Sequence, residues 1–199
     1  MFAKKLAIAA ALLTASSVHA ATIFADNFDS NTDALNASSF ANGWTVSDGT
    51  VDIIGPTGGW DLIPGNGYYI DLDGSTGKAG LFSNSIAVSA GQTYILSFSL
   101  AGNQRASYGT GGDSVTVNFG TNSQVIGRTE TVGFQTFSLS YTALADGNAV
   151  FSFRNAGGDN IGALLDNVSV AAVPEPTTYA MLLAGLGLVG AAARRRRNG

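Results

Sequence analysis

Apolar residues recur at every second position through the middle of this chain, in short runs closed by Gly, Asn and Asp. Tyr94, Leu96, Phe98 and Leu100 alternate with Ile95, Ser97 and Ser99. Val115, Val117 and Phe119 alternate with Ser114, Thr116 and Asn118. Phe137, Leu139 and Tyr141 alternate with Ser138 and Ser140, Phe151 and Phe153 flank Ser152, and Val168 and Val170 flank Ser169. A period of two is that of strands with one face on a core and the other in water. Further strands are expected at 44–46, 51–54, 68–72 and 85–88, and joints such as Asp146-Gly147-Asn148 supply the turns. No stretch of the middle carries a helical period. Roughly nine or ten strands between residues 21 and 173 imply an all-β, two-sheet sandwich.

The ends differ in kind. Lys4 and Lys5 precede an apolar run at 6–13, and Val18-His19-Ala20 puts tolerated residues before a cut after Ala20. This is the pattern of a secretory signal peptide over residues 1–20, read by the Sec translocon and signal peptidase. The run is too short to cross a hydrocarbon core of roughly 30 Å as a helix. At the other end Val173-Pro174-Glu175-Pro176 breaks regular structure, because each proline fixes its own φ and biases its predecessor toward extended geometry. Residues 177–193 carry no charge, and Arg194, Arg195, Arg196 and Arg197 follow. As a transmembrane helix rising 1.5 Å per residue, 177–193 would reach about 26 Å, a minimal span. The arginines would hold the end in the cytoplasm. The domains expected are therefore 1–20, 21–173 and 174–199.

Charge and residue inventory narrow the chemistry. The middle keeps Lys78, Arg105, Arg128 and Arg154 of the ten basic residues, but every acid except Glu175, for a charge close to −9. Such a surface repels nucleic acid. It suits solubility or capture of a hard cation by oxygen ligands. There is no Cys, and His19 is the only His. The domain therefore has no disulfide, and once the first twenty residues are removed no Ser-His-Asp triad, Cys-His pair or histidine zinc site can be built.

Two resemblances rest on these residues. Pro174-Glu175-Pro176, the uncharged 177–193 and Arg194 to Arg197 resemble, in that order, the PEP-CTERM sorting signal of Gram-negative bacteria. The resemblance implies recognition by an exosortase, a membrane cysteine protease, after transient insertion in the inner membrane, and release to the cell surface or extracellular matrix. In the middle, Gly43-Trp44-Thr45-Val46 with Val51-Asp52-Ile53-Ile54, Tyr69-Ile70-Asp71-Leu72-Asp73-Gly74, Ala90-Gly91-Gln92-Thr93-Tyr94-Ile95-Leu96-Ser97-Phe98 and Leu165-Asp166-Asn167-Val168-Ser169-Val170 stand in order. They resemble the landmarks of galactose-binding-like jelly rolls, most of all the DUF642-like and choice-of-anchor modules of secreted proteins. That implies a jelly-roll sandwich, with carbohydrate binding and a structural calcium frequent in the superfamily. A shared fold does not identify a ligand.

Candidate sites follow. Asp166 shares parity with Val168 and Val170, so a regular strand aims it at the core, where a carboxylate needs partners or a metal. The resemblance pairs such a late acid with an early one, here Asp29 with Asn27 nearby, as calcium ligands; the alternative is that Asp166 caps backbone N–H groups. Asp71-Leu72-Asp73-Gly74 is no EF-hand, because its sixth and twelfth positions are Thr76 and Phe82 instead of Gly and Glu. Asp73-Gly74 reads as a turn. Trp44 reads as core. Trp60, in a Gly58-Gly59 loop, and Tyr108 with Arg105, in another glycine-rich loop, are the sugar-contact candidates. No pair of carboxylates stands out as a glycosidase pair. The function expected is an exported, non-catalytic matrix protein whose domain binds extracellular polysaccharide. A structural matrix protein without a small ligand is the alternative, and a glycoside hydrolase a distant third.

Overall fold

The computed structural model describes residues 20–108, 112–174 and 176–197. Among them are eleven strands: β1 (Ala21–Asp26), β2 (Thr45–Ser47), β3 (Asp52–Ile54), β4 (Tyr69–Asp71), β5 (Leu81–Val88), β6 (Thr93–Ala101), β7 (Asp113–Phe119), β8 (Asn122–Arg128), β9 (Gln135–Thr142), β10 (Gly147–Asn155) and β11 (Leu164–Ala172). A helix, α1 (Pro176–Arg197), follows. The signal peptide expected at 1–20 lies, but for its last residue, outside the described residues.

Every strand pair is antiparallel. One sheet has the order β3-β4-β11-β6-β9, with β1 also on β11; the other has the order β2-β5-β10-β7-β8. Two antiparallel sheets face to face make the expected jelly-roll sandwich. Alternation decides what lies between them. Tyr94, Leu96, Phe98 and Leu100 of β6, Phe151 and Phe153 of β10, Val115, Val117 and Phe119 of β7, and Val168 and Val170 of β11 are all buried. Trp44 stacks on Phe82 with centroids 4.3 Å apart and meets Phe151 edge-on at 5.4 Å. Its indole N–H donates to Asp26 Oδ2 at 2.9 Å, so the largest core side chain leaves no polar atom unpaired. A smaller cluster (Ile54, Tyr69, Ala101, Leu164) packs under Leu62, Ile63 and Phe134.

Three features differ from expectation. Trp44 precedes β2 and does not lie within a strand. β1 was not foreseen, because its Ala-Thr-Ile-Phe-Ala-Asp run follows directly on the residues expected to form a signal peptide. β8 was not foreseen, because its Asn-Ser-Gln start and Gly127 dilute the apolar period; as an edge strand it buries only Ile126 and Arg128.

One irregularity positions a site. β11 pairs with β4 through Leu164 and Leu165, and with β1 from Val168 onward. Its register against β6 breaks between Asp166 and Ser169. Asn167 sits there with φ 51°, in the left-handed region that Asn tolerates. Asp166 is thus buried where β4 and β1 meet on one edge of β11.

Candidate functional site

The β3–β4 connection, residues 55–68, presents Trp60 with 65% of its surface exposed. The backbone beneath it is held from inside. Tyr69 is fully buried, and its hydroxyl accepts the N–H groups of Leu62 at 2.6 Å and Ile63 at 3.0 Å while donating to Asp61 Oδ1 at 3.0 Å. Burial raises the Tyr69 pKa, so this hydroxyl stays protonated. Asn66 N–H closes a turn on Ile63 carbonyl at 3.2 Å. Further out, Thr57 bonds Asp33 and lies 3.1 Å from the Tyr68 hydroxyl. An exposed indole on so firmly tied a loop has its conformational cost met before any ligand arrives.

The second sugar-contact loop is organised differently. Arg105 turns inward: Nη2 donates to Asp71 Oδ2 at 2.6 Å and Nη1 to the Asn160 carbonyl at 3.2 Å. Tyr108 ends a single 3-10 turn (Ala106–Tyr108), and its side chain lies outside the described residues.

Asp29, with Asn27, and Asp166 hold the β3–β4 connection separately, at Tyr68 and at Asn66. Asp166 Oδ1 accepts the Asn167 N–H at 2.6 Å, and Oδ2 accepts the amides of Asn66 and Asn167, both at 2.9 Å. Asp29 Oδ1 accepts the Tyr68 N–H at 2.9 Å, and Oδ2 the Asn27 amide at 2.6 Å. Gly67 (φ 86°) keeps this approach open, since a Cβ there would collide with Asp29 Oδ1. Burial pushes the Asp166 pKa up to about 6, its N–H donors oppose that, and Asp29 and Asp26 add to it. In kind, these carboxylates and amide carbonyls suit calcium. As arranged, all four carboxylate oxygens already accept an N–H, and among the described residues no three acidic side chains converge as a metal site. An ion would need the Asn side chains turned to offer their carbonyl oxygens.

A third polar group was missed. Asp73 does follow a strand, as expected, but it is no exposed turn residue: it is fully buried. Beside it Asp71 accepts Arg105 and the N–H groups of Asp73 and Gly162, each of the latter at 3.1 Å. Burial pushes Asp71 up to about 7 against the pull of Arg105. Sequence period could not reveal this, because Asp73 lies beyond β4 and is covered by the distant segment 157–162.

The tail leaves the sandwich at Val173, whose N–H donates to the Thr93 carbonyl at 2.8 Å and whose carbonyl accepts the Gln92 amide. Pro174 follows, Glu175 lies outside the described residues, and Pro176 opens α1. Leu182, Leu183, Leu188 and Val189 are exposed on α1, and Arg194, Arg195, Arg196 and Arg197 fill its last turn. Among the described residues no helix is long and apolar enough to cross a membrane. The span expected at 177–193 includes 177–181, whose side chains are outside the described ones.

Comparison with known proteins bears on both parts. Residues 172–197 match the PEP-CTERM protein-sorting motif, and residues 24–171 match DUF642, described as a protein of unknown function. No curated protein matches the sequence. Among solved structures, the CBM22-1 xylan-binding domain of Paenibacillus barcinonensis Xyn10C is similar at TM-score 0.54 and 14% identity, over 80% of this chain and 99% of that one. The CBM22-1-GH10 modules of Clostridium thermocellum xylanase 10B give TM-score 0.53 at 14% identity, over 79% of this chain and only 29% of theirs. The K3 adhesin domain of the Porphyromonas gingivalis Lys-gingipain gives TM-score 0.52 at 15% identity, over 77% and 99%. At such identities these likenesses show the fold alone. The tail carries the signal for exosortase-sorted export, and the chain, matched over most of its length, belongs to the DUF642 family.

Proposed function

We propose that the exported domain is a non-catalytic module that binds extracellular polysaccharide through the loop carrying Trp60. One observation carries this reading: a largely exposed indole on a backbone pinned by the buried Tyr69 hydroxyl. An aromatic face packs on the apolar C–H face of a pyranose, and Asp61 brings a carboxylate beside it for sugar hydroxyls. The sheet faces support the loop as the contact. Their outward positions carry Ser97 on β6, Thr136, Ser138 and Ser140 on β9, and Ser114, Thr116 and Asn118 on β7. These can bond hydroxyls but offer no ring to stack on. The CBM22-1 likeness agrees in fold.

Delivery belongs to the same proposal. The Sec translocon and signal peptidase act on residues 1–20, α1 enters the inner membrane with its arginines on the cytoplasmic side, and an exosortase releases the domain to the surface or matrix of a Gram-negative cell. The exposed leucines of α1, spread around the helix instead of along one stripe, suit lipid.

A glycan array with wild type and Trp60→Ala tests the binding. Retention of β-linked polysaccharides that the variant loses supports it. No retention by wild type favours a structural matrix protein without a small ligand.

A further inference from the structure

One end of the sandwich is almost without charge. The start of β1, the end of β11 and the β5–β6, β7–β8 and β9–β10 turns meet there. Ala21 pairs with Ala172, and Ala172 with Tyr94. Gly91 N–H donates to the Ala143 carbonyl at 2.8 Å, Ala143 N–H to the Gln92 carbonyl at 3.0 Å, and Gly120 N–H to the Val150 carbonyl at 2.9 Å. In the segments that run into this end (20–25, 84–97, 117–124, 138–151 and 168–173) the only charged residue is Asp146, whose Oδ1 accepts the Ala90 N–H at 2.8 Å. Every other charged residue of the domain, all four basic ones included, lies outside these segments.

The same end exposes an apolar tip. Leu144, in the β9–β10 turn, is 85% exposed, more than any other large apolar side chain among the described residues. Turns ordinarily carry Gly, Asn, Asp, Ser or Pro at such a place. The core does not require Leu144, because its neighbour Ala143 is the buried residue of the turn. Ile23, at the register shift of β1, is exposed as well. The tail leaves from this end too. Val173 is tied down by its N–H to the Thr93 carbonyl and by the Gln92 amide on its own carbonyl. Pro176 opens α1 three residues later, a reach of at most about 10 Å. The headgroup layer on each side of a bilayer is about 5–8 Å thick. A tail that enters lipid therefore holds this end at headgroup depth. Ala21, beside the expected signal-peptide cut, pairs with Ala172, so both membrane-directed segments leave the domain on one side.

We propose that this end is a lipid-contacting foot: Leu144 enters the boundary between headgroups and acyl chains of the bilayer that the tail enters, and the charged remainder of the domain stands in water. The proposal rests on the reading of α1 as membrane-inserted. An apolar side chain placed at that depth is held there by the water it loses. The charge pattern selects the lipid. With no Lys or Arg on the foot, contact draws nothing from anionic headgroups, and the domain's other acids are kept away from the surface. A protein partner would need a face of about 800 Å², whereas the apolar projection here is a single turn tip. Until the tail is cut, the foot gives the domain a second point of contact, and one point alone would leave it free to tumble about Val173.

The chain has no Cys, so a single introduced thiol reports one position. Leu144→Cys, Leu35→Cys and Leu183→Cys of the full chain, each carrying an environment-sensitive fluorophore, are compared in phosphatidylcholine vesicles with spin labels on the headgroup or within the acyl chains. All three positions are exposed; Leu35 lies beside the bridge from Ala34 to Ile53, away from the foot, and Leu183 lies on α1. The label at 144 should shift to the blue and be quenched from the headgroup. The label at 183 should be quenched from the acyl chains, and the label at 35 from neither. Phosphatidylglycerol added to the vesicles should leave the quenching at 144 unchanged. Quenching at 183 without quenching at 144 overturns the foot and leaves the inserted tail standing. No quenching at 183 overturns the insertion of α1 and the foot with it. A blue shift at 144 without quenching means that a second copy covers the tip, and equal quenching at 35 and 144 means that the domain has no fixed orientation; either result also overturns the proposal.

Discussion

Arg105 Nη2 stands 2.6 Å from Asp71 Oδ2, an ion pair in which the carboxylate side chain is 2% exposed and the guanidinium side chain 19%. It joins the β6–β7 connection to the end of β4, and through the Asn160 carbonyl it also holds the β10–β11 loop. A residue expected to meet sugar from a glycine-rich loop thus ties three segments of the sandwich together. Removing one partner of a buried pair strands the other charge. Arg105→Ala should cost about 3–5 kcal/mol in urea unfolding. A loss below about 1 kcal/mol would show that the pair contributes no more than a surface bridge.

The Trp60 loop separates binding from stability. Trp60→Ala removes a mostly exposed ring, so stability should stay within about 0.5 kcal/mol. Glycan affinity should fall at least tenfold, about 1.4 kcal/mol. Tyr69→Phe should act differently. It leaves the Leu62 N–H without its acceptor and the Ile63 N–H with Asp61 Oδ1 alone, costs about 1–3 kcal/mol, and weakens binding with Trp60 still present. Equal affinities in wild type and Tyr69→Phe would mean that the pinned backbone is irrelevant to binding.

Acid should stabilise the protein. Asp73 and Asp166 titrate near 6 in the fold, above the ordinary value of 3.8. Between those values the folded state keeps protons that the unfolded chain has lost, so stability falls as pH rises through that window. Melting from pH 4.5 to 8 should show a midpoint that declines from the start of the scan and levels off above about pH 6. A midpoint that rises steadily from pH 4.5 to 7 would contradict the direction of both shifts.

Processing should remove the tail. Intact mass of the exported protein should fit a start near Ala21 and the loss of Arg194, Arg195, Arg196 and Arg197. Replacing the four arginines with Ser should impair retention and cleavage. A mature form that still carries them refutes exosortase release.

Local pattern was enough for the outline of this protein. The period of two in β6, β7, β9 and β10 is set by which face of a pleated strand meets the core, and that is written residue by residue. The sorting tail is equally local, since a proline turn, an uncharged run and an arginine cluster act through composition. Tertiary structure decided the rest. Asp166 is buried as its parity implies, yet what it bonds depends on Asn66, brought to it because β4 and β1 share the edge of β11. Asp73 looks like any Asp-Gly turn until residues 157–162 close over it. Arg105 finds Asp71 thirty-four positions away. The charge state and partners of a polar group are fixed by whatever surrounds it in space, and in an antiparallel sandwich most of those neighbours are remote in sequence.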